Sequence, residues 1–261
     1  MSLQLLQDER GVQMIPYLRS ERLKLKRTFS TKLFFLVPIA NVAFSLLMNP
    51  MYFVSNTINW WSILFLPLML ALWAVQTHQK EQLASRYQGV YLLPVSLRNI
   101  WLAKLIVISI YSLAAFAAYL LVLGAVGMLF TGESIITMAT FMSALVLWLT
   151  TLWEIPLFMW VAKKWGAATA IGINIACAMG LGIPLSSRTF WWACPWSWSI
   201  RLMAPIAGVH PNGTLLEPGH AMLDMKVLPI GVGMSLLLTA VLSMLTMQRF
   251  GPQIRSGKGG R

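Results

Sequence analysis

The chain has 261 residues, of which 57% are apolar and only 11% are charged, and its mean hydropathy is +0.68. A soluble domain carries roughly 25% charged residues, so the composition excludes an ordinary soluble fold and predicts an integral membrane protein. The net charge of +12 is spread over many segments, which argues against a nucleic-acid-binding protein, where the cations would gather on one domain.

The N-terminal segment is polar and basic and leads directly into a full-length apolar stretch, a pattern that argues against a cleavable signal peptide. Its residues YLRSERLKLKRTF predict an amphipathic helix over residues 17–30, lying in the inner membrane interface. Leu18, Leu25 and Phe29 would share one face, with Arg22 opposite. The alternative is a set of ordinary flanking charges, but the segment is longer than a flank requires. The charged residues expected near the lipid headgroups are Glu21, Lys24, Lys26 and Arg27.

Long apolar stretches predict the membrane spans. Residues 33–79 contain no Asp, Glu, Lys or Arg, and a helix needs about 20 apolar residues to cross a membrane. This stretch is long enough for two crossings, with a turn at NPMYFVSNTIN, where Pro50 and the Asn residues interrupt helical hydrogen bonding. The strand alternation of a membrane barrel is missing, so we predict an all-α membrane domain over residues 1–250 and a cytoplasmic tail over residues 251–261. The six predicted transmembrane helices cover residues 33–52, 58–78, 103–130, 135–162, 165–185 and 227–249.

The distribution of Lys and Arg predicts the orientation of these spans. With six spans, 17 of the 20 cations fall in segments on one side, and the other side holds Arg188, Arg201 and Lys226. Cytoplasmic segments carry the excess of Lys and Arg. Both termini are therefore expected in the cytoplasm.

One polar segment interrupts the apolar sequence between the second and third predicted spans. It reads HQKEQLASRYQGVYLLPVSLRNIWLAK, from His78 to Lys104. A plain solvated connector is the alternative, but two to eight residues would suffice for that purpose. The YQGVYLLP portion is also more apolar than a water-facing loop requires. We therefore expect a folded loop with a partner.

Glu154 is the only carboxylate inside a predicted span. It comes just before Pro156, whose missing N–H frees a carbonyl one turn earlier. An ionisable residue at such a depth suggests a functional site. A structural role or a polar contact with another helix is the alternative, and the side chain could also reach the interface near Lys163 and Lys164.

The largest predicted outer segment, residues 186–226, opens with RTFWWACPWSWSIRLMAP. Tryptophans favour the headgroup zone of a membrane. They are expected to anchor the protein as an aromatic belt, or to form an outer platform for an amphipathic ligand. The tryptophans concerned are Trp191, Trp192, Trp196 and Trp198.

Residues for catalysis or metal binding are scarce in the sequence. The two cysteines, Cys177 and Cys194, are expected to be small apolar fillers, and no histidine pair has zinc-ligand spacing. The tail GPQIRSGKGG fails as a phosphate-binding loop, because Pro252 replaces the first Gly and Gly259 the Ser or Thr. We expect no enzyme activity, catalytic residue, metal site or bound cofactor in this chain.

Three segments occur in a characteristic order: YLRSERLKLKRTF, then SNTINWWSILFLP, then QKEQLASRYQGVYLLPVSLRNIWLAK. In this order and spacing the chain resembles, over essentially its whole length, the ABC-2-type permease subunits of lantibiotic self-immunity transporters, the MutE/EpiE kind. The resemblance implies half of an ABC exporter in a bacterial plasma membrane, expelling a lantibiotic-like peptide. It also implies a separate ABC ATP-binding subunit, which holds ATP and Mg, and a second six-helix permease, like or unlike this chain.

The same resemblance implies a short coupling helix near residues 81–88 that docks on the ATPase. The residues expected to form this coupling loop are Glu81, Gln82, Ser85, Arg86, Tyr87, Leu92 and Pro94. Alternative functions are a permease for another peptide antibiotic such as bacitracin, an ion-gradient-driven carrier, a membrane sensor and an intramembrane enzyme. A carrier would need more intramembrane ionisable groups than Glu154, and an intramembrane serine protease would need a histidine within the spans.

Overall fold

The structure is a computed structural model, which describes part of the chain. The described residues are 14–26, 29–48, 50–85, 92, 95–131 and 135–250. Within them the chain is helical apart from short connections, and the one extended pairing is an isolated antiparallel bridge between Val209 and Leu215. The predicted all-α membrane fold is confirmed.

Most neighbouring helices are separated by short breaks. In chain order they are α1 (Met14–Leu25), α2 (Phe29–Met48), α3 (Phe53–Trp60), α4 (Leu66–Ser85), α5 (Leu97–Thr131), α6 (Met138–Thr151), α7 (Glu154–Trp165), α8 (Ala167–Cys177), α9 (Ile183–Ser186), α10 (Pro195–Ala207) and α11 (Val227–Gln248). A longer segment, residues 208–226, joins α10 to α11. Two π-helical turns, Trp61–Phe65 and Ala178–Gly182, join α3 to α4 and α8 to α9.

Five helical stretches in the described part of the chain are long and apolar enough to cross a membrane. They are Phe29–Met48, Pro50–Leu83, Leu97–Phe130, Ala167–Ser186 and Val227–Gln248. The pair α6 and α7, bent by 41°, gives a sixth span if the two helices cross together. Pro156 explains the bend, because it has no N–H for the carbonyl of Leu152 and its ring clashes there. The carbonyl of Leu152 instead accepts from the Ile155 N–H at 3.2 Å.

The turn between the first two spans is shorter than the sequence suggests. A single 3-10 turn, Pro50–Tyr52, precedes helix α3, which begins at Phe53 and runs through most of the segment expected to be a turn. Asn41 on α2 donates to the carbonyl of Thr57 at 3.1 Å, and the side chain of Thr57 is fully buried. Packing against α2 therefore outweighs the low helix propensity of asparagine here.

The N-terminal helix also differs from its prediction. Helix α1 ends at Leu25, and Phe29 already begins α2. Leu25 is buried, whereas Phe29 is 54% exposed, so the two do not share one apolar face. The predicted continuous helix over residues 17–30 is therefore wrong, because α1 ends at Leu25 and Phe29 belongs to the separate helix α2.

A large aromatic core holds the spans together. Trp61 in the first π-helical turn stacks on Tyr119 of α5 with ring centroids 4.6 Å apart, and it meets Phe116 edge-on at 5.5 Å. Trp73 of α4 donates its indole N–H to the carbonyl of Ser30 at 3.0 Å. These contacts connect the first three spans through buried aromatic rings, which contribute both area and directional packing.

Contacts at one end of the bundle bring together segments that are distant in sequence. Trp101 of α5 donates to the Thr246 hydroxyl of α11 at 3.0 Å, and its ring lies 4.7 Å from that of Phe250. The Lys163 ammonium lies 4.6 Å from the same Phe250 ring. This end, which we call the cation-rich end, holds helix termini whose Lys and Arg residues are predicted to be cytoplasmic. That location stays a prediction.

The second π-helical turn provides a test of close packing. A Cβ atom added at Gly182 would lie 2.8 Å from the backbone carbonyl oxygen of Trp196, whereas one added at Gly180 meets nothing within 4 Å. We expect Gly182→Ala to destabilise the protein by about 1–3 kcal/mol, because the backbone of α10 must move away. Gly180→Ala, in the same turn, is the control and should be neutral. Thermal unfolding of the purified variants measures the difference, and equal melting temperatures would contradict the packing described.

Candidate functional site

Four charged side chains form a closed network at the cation-rich end. The Lys24 ammonium lies 2.5 Å from Glu21 Oε1 and 2.7 Å from Glu81 Oε1. The Lys104 ammonium lies 2.7 Å from Glu21 Oε2 and 2.7 Å from Glu81 Oε1. Each lysine therefore binds both carboxylates. We call these four residues the ion network.

The ion network joins three helices that are separate in sequence. Glu21 and Lys24 lie three residues apart on α1, so they project from one face of that helix. Glu81 belongs to the last turns of α4, and Lys104 lies near the start of α5. The chain between these two residues contains the polar loop singled out in the sequence. Both ends of that loop are thus anchored to one another and to α1.

Burial determines how strongly these charges need each other. The side chains of Glu21, Glu81 and Lys104 are only 5%, 6% and 2% exposed, and that of Lys24 is 35% exposed. Burying a charge without a partner lowers the stability of the fold by roughly several kcal/mol, whereas a paired and hydrogen-bonded charge is tolerated. Burial opposes charging of Lys24, but Glu21 and Glu81 outweigh this effect and raise the pKa of its ammonium. The contribution of Lys24 is therefore fully present at neutral pH and is lost only as the pH rises through this raised pKa.

Further contacts hold α1 against the beginning of α5. The Ser96 backbone N–H donates to the Tyr17 hydroxyl at 3.4 Å. A cavity of about 430 Å³ lies beside the ion network. Its lining residues are Pro16, Tyr17, Ser20, Glu21, Lys24, Val95 and Ile100. Helix α1 is therefore an integral part of the bundle at this end and not only a surface anchor.

The structure changes the role expected of several charged residues. Glu81, predicted to contact an ATPase, is buried in the ion network, so its carboxylate is not presented to a partner. Glu21 and Lys24, expected among lipid headgroups, belong to the same network, and Lys26 is the exposed one among the described members of that group. Arg27 lies outside the described residues. The headgroup location followed from the pattern of flanking charges, and the ATPase contact of Glu81 followed from the family resemblance. Neither signal reveals a buried partner.

The remaining coupling-loop residues are described only in part. Gln82 is exposed, and Leu92 is 84% exposed. Ser85 is the last residue of α4, and its side chain is outside the described set. Arg86, Tyr87 and Pro94 also lie outside the described residues. Contact of this loop with an ATPase stays a prediction.

A second buried polar cluster lies around Glu154 in the first turn of α7. Asn174 of α8 donates to Glu154 Oε2 at 2.8 Å and to the Pro67 carbonyl at 2.9 Å, and its Oδ1 accepts from the Trp196 indole at 2.9 Å. Asn174 is fully buried and uses both donors and its carbonyl in these bonds. Four separate segments meet at this one amide. The polar contact with another helix, one of the alternatives that the sequence left open for Glu154, is present, and the carboxylate turns into the protein and not toward the lysines.

The four outer tryptophans do not form one exposed platform. Trp191 and Trp198 are buried, Trp196 is partly buried, and only Trp192 is largely exposed, at 55%. The Trp198 indole donates to the Trp192 carbonyl at 2.9 Å, and the Trp196 ring meets Trp153 edge-on at 5.0 Å. These indoles bind within the protein because α10 folds back against the bend between α6 and α7.

A double-mutant cycle on Lys104 and Glu21 measures how strongly the members of the ion network stabilise one another. Replacing Lys104 with Met leaves two buried carboxylates with Lys24 alone, and breaking such a pair commonly costs about 3–5 kcal/mol. Adding Glu21→Gln removes one charge of the other sign. We expect the double variant to be more stable than the sum of the single losses, with a coupling of about 0.5–3 kcal/mol. Thermal and denaturant unfolding in detergent measure these differences.

Arg98→Met is the matched control for Lys104→Met. Arg98 is a cation on the first turn of the same helix, but its side chain is exposed. Surface substitutions usually change stability by less than about 0.5 kcal/mol. Equal stability of the Lys104 and Arg98 variants, or strict additivity of the cycle, would contradict the proposed energetic role of the network.

Replacing Trp196 with Phe tests the second cluster. A smaller aromatic ring remains, but the buried Oδ1 of Asn174 loses its donor, which costs about 1–3 kcal/mol. Trp192→Phe is the control because that indole is exposed. We expect a lower melting temperature for Trp196→Phe only, and a neutral result for both variants would exclude an energetic role of this bond.

Comparison with known proteins places this architecture in a family. A family model described as ABC-2 family transporter protein matches residues 17–180, which is more than half of the chain. No curated protein and no solved structure shows significant similarity to the chain. The matched region contains the ion network, the bent pair of helices and Asn174. The chain therefore belongs to the ABC-2 transporter family, as a membrane permease component that works with a separate ATP-binding subunit.

Proposed function

We propose that the chain is the permease of an ATP-driven exporter that expels a lantibiotic or similar antimicrobial peptide from the bacterial cell membrane, for self-immunity. The ATP-binding subunit holds ATP and Mg, and a second six-helix permease, like or unlike this chain, completes the pathway. The observation that carries the proposal is the ion network at the ends of the polar loop. It provides a rigid connection through which a soluble motor acts on the spans.

The network supports this mechanism through its position. The segment from Glu81 to Lys104, which includes the end of α4 and the start of α5, is accessible at Gln82 and Leu92. Glu81 and Lys104 at its two ends are buried and bound to α1. A displacement applied to the loop moves the ends of α4 and α5 together with α1, since separating them would leave buried charges unpaired. The second and third spans then respond as one body.

Exposed apolar side chains mark where the motor would bind. Leu83 and Leu92 are each 84% exposed, although both lie at the polar, cation-rich end. Apolar groups in such a place favour cover by a protein partner. An ATP-binding subunit seated over these leucines and Gln82 fits the family and the position of the loop. This assigns the coupling contact to Gln82 and Leu92 in place of Glu81.

The peptide cargo is supported by the resemblance to lantibiotic self-immunity permeases. Lantibiotics are cationic and amphipathic and attack the membrane of the cell, so a permease embedded in that membrane can reach them there. The buried tryptophans of α10 move the expected peptide site away from an outer platform. The groove between the two permeases is the more suitable place.

Resistance of a sensitive bacterium tests the proposed cargo. The chain is expressed with the ATP-binding subunit and the second permease, and the minimal inhibitory concentrations of a lantibiotic and of bacitracin are measured. We expect several-fold resistance to the lantibiotic, lost when the ATP-binding lysine of the partner is replaced. Resistance to bacitracin alone would contradict the proposed lantibiotic cargo. Resistance without ATP hydrolysis would contradict the ATP-driven mechanism.

A charge at Leu92 tests the coupling contact within the same assay. Leu92→Asp should abolish resistance and stimulation of the ATPase at an unchanged membrane level of the permease. Leu215→Asp is the control, since Leu215 is also an exposed leucine, at 62%, but pairs with Val209 in the loop after α10. Full resistance in the Leu92 variant would remove this residue from the contact.

A further inference from the structure

A second groove lies on α1, on the side where it packs against α5. Its volume is about 160 Å³. Its lining residues are Ile15, Leu18, Arg19, Arg22, Val107, Ile110 and Tyr111. Ile15 and Ile110 are largely exposed, at 62% and 55%, so the groove opens to the surroundings and is not a sealed cavity.

The groove combines an apolar wall with two cations. Arg19 and Arg22 lie three residues apart on α1 and are both exposed. Neither guanidinium pairs with a carboxylate of the described residues, since Glu21 on the same helix is bound by Lys24 and Lys104. Two guanidinium groups on one helical face can bind one phosphate, because each offers several N–H donors in a planar fork.

The apolar wall belongs to a span that crosses the membrane. Val107, Ile110 and Tyr111 lie on the third span, Leu97–Phe130, three to seven residues beyond the buried Lys104. The wall therefore lies deeper in the membrane than the ion network, and α1 with its cations lies across the start of the span. A ligand that fits this arrangement has an anionic head and a hydrocarbon tail.

We propose that this groove is a binding site for one anionic phospholipid. Arg19 and Arg22 hold its phosphate, and one acyl chain lies against Val107, Ile110 and Tyr111. A basic pocket between helices at the inner surface is the type of site that selects anionic headgroups. The bound lipid fills the space between α1 and α5 beside the ion network. The inference needs only the membrane location of the chain and is independent of the identity of the cargo.

Native mass spectrometry of the purified full-length chain in detergent tests this site. Phosphatidylglycerol and phosphatidylcholine with identical acyl chains are titrated separately. We expect the first phosphatidylglycerol to bind at least about tenfold more tightly than phosphatidylcholine. The double substitution Arg19→Gln and Arg22→Gln should abolish this preference. Both positions are exposed, so the fold should remain intact.

Two further variants separate this site from general attraction to the protein. Lys26→Gln with Lys32→Gln removes the same charge from two exposed cations at the same end that do not line the groove, and should leave the preference unchanged. Ile110→Trp fills the groove while keeping both arginines, and should weaken binding of both lipids. Free glycerol phosphate, which lacks a tail, should not compete with the lipid at equal concentration.

Each contrary result overturns the proposal. Equal losses in the arginine and lysine pairs would show a diffuse effect of charge. Competition by glycerol phosphate as strong as that of the lipid would show a simple anion site without an acyl-chain groove. Unchanged phosphatidylglycerol binding in the arginine pair, or in Ile110→Trp, would exclude this groove as the lipid site.

Discussion

Four charges enclosed among apolar helices are the constraint on which the cation-rich end depends. The positive charges of two lysines balance the negative charges of two glutamates, and each lysine binds both carboxylates. Separating the members of the network would leave buried charges without partners. The network therefore holds α1, α4 and α5 in their relative positions. The same constraint fixes the two ends of the polar loop, at Glu81 and Lys104, relative to α1.

Among the described residues, hydrogen bonds without ion pairs also hold helices together around Glu154 and Asn174. The bend at Pro156 interrupts a span and turns Glu154 inward, where Asn174 joins it to α4 and α10. The Leu152 carbonyl freed by Pro156 accepts from the Ile155 N–H, and Asn174 satisfies the carboxylate that turns inward at the bend. The bend and the asparagine thus belong together, and α10 keeps its position partly through the indole of Trp196.

The sequence was sufficient for the fold class, because the length of an apolar stretch and its proline positions act locally. It was insufficient for the partners of polar residues. Glu21 and Glu81 are 60 residues apart in a chain with only eight acidic residues, and this scarcity among many cations was the one available signal that they are paired. The indole partners of Trp196 and Trp198 depend on how α10 folds back, which no periodicity in the sequence encodes.

The lengths of the second and third spans have a mechanical consequence. Pro50–Leu83 and Leu97–Phe130 each contain 34 residues, or about 51 Å of helix at 1.5 Å per residue. The hydrocarbon core is about 30 Å thick, and a tilt of about 20° lengthens the path through it by only a few ångströms. Much of each helix therefore stands outside the hydrocarbon. A tilt of this pair within the membrane would therefore displace the ends at Glu81 and Lys104, which the ion network joins, further than the portions held in the lipid.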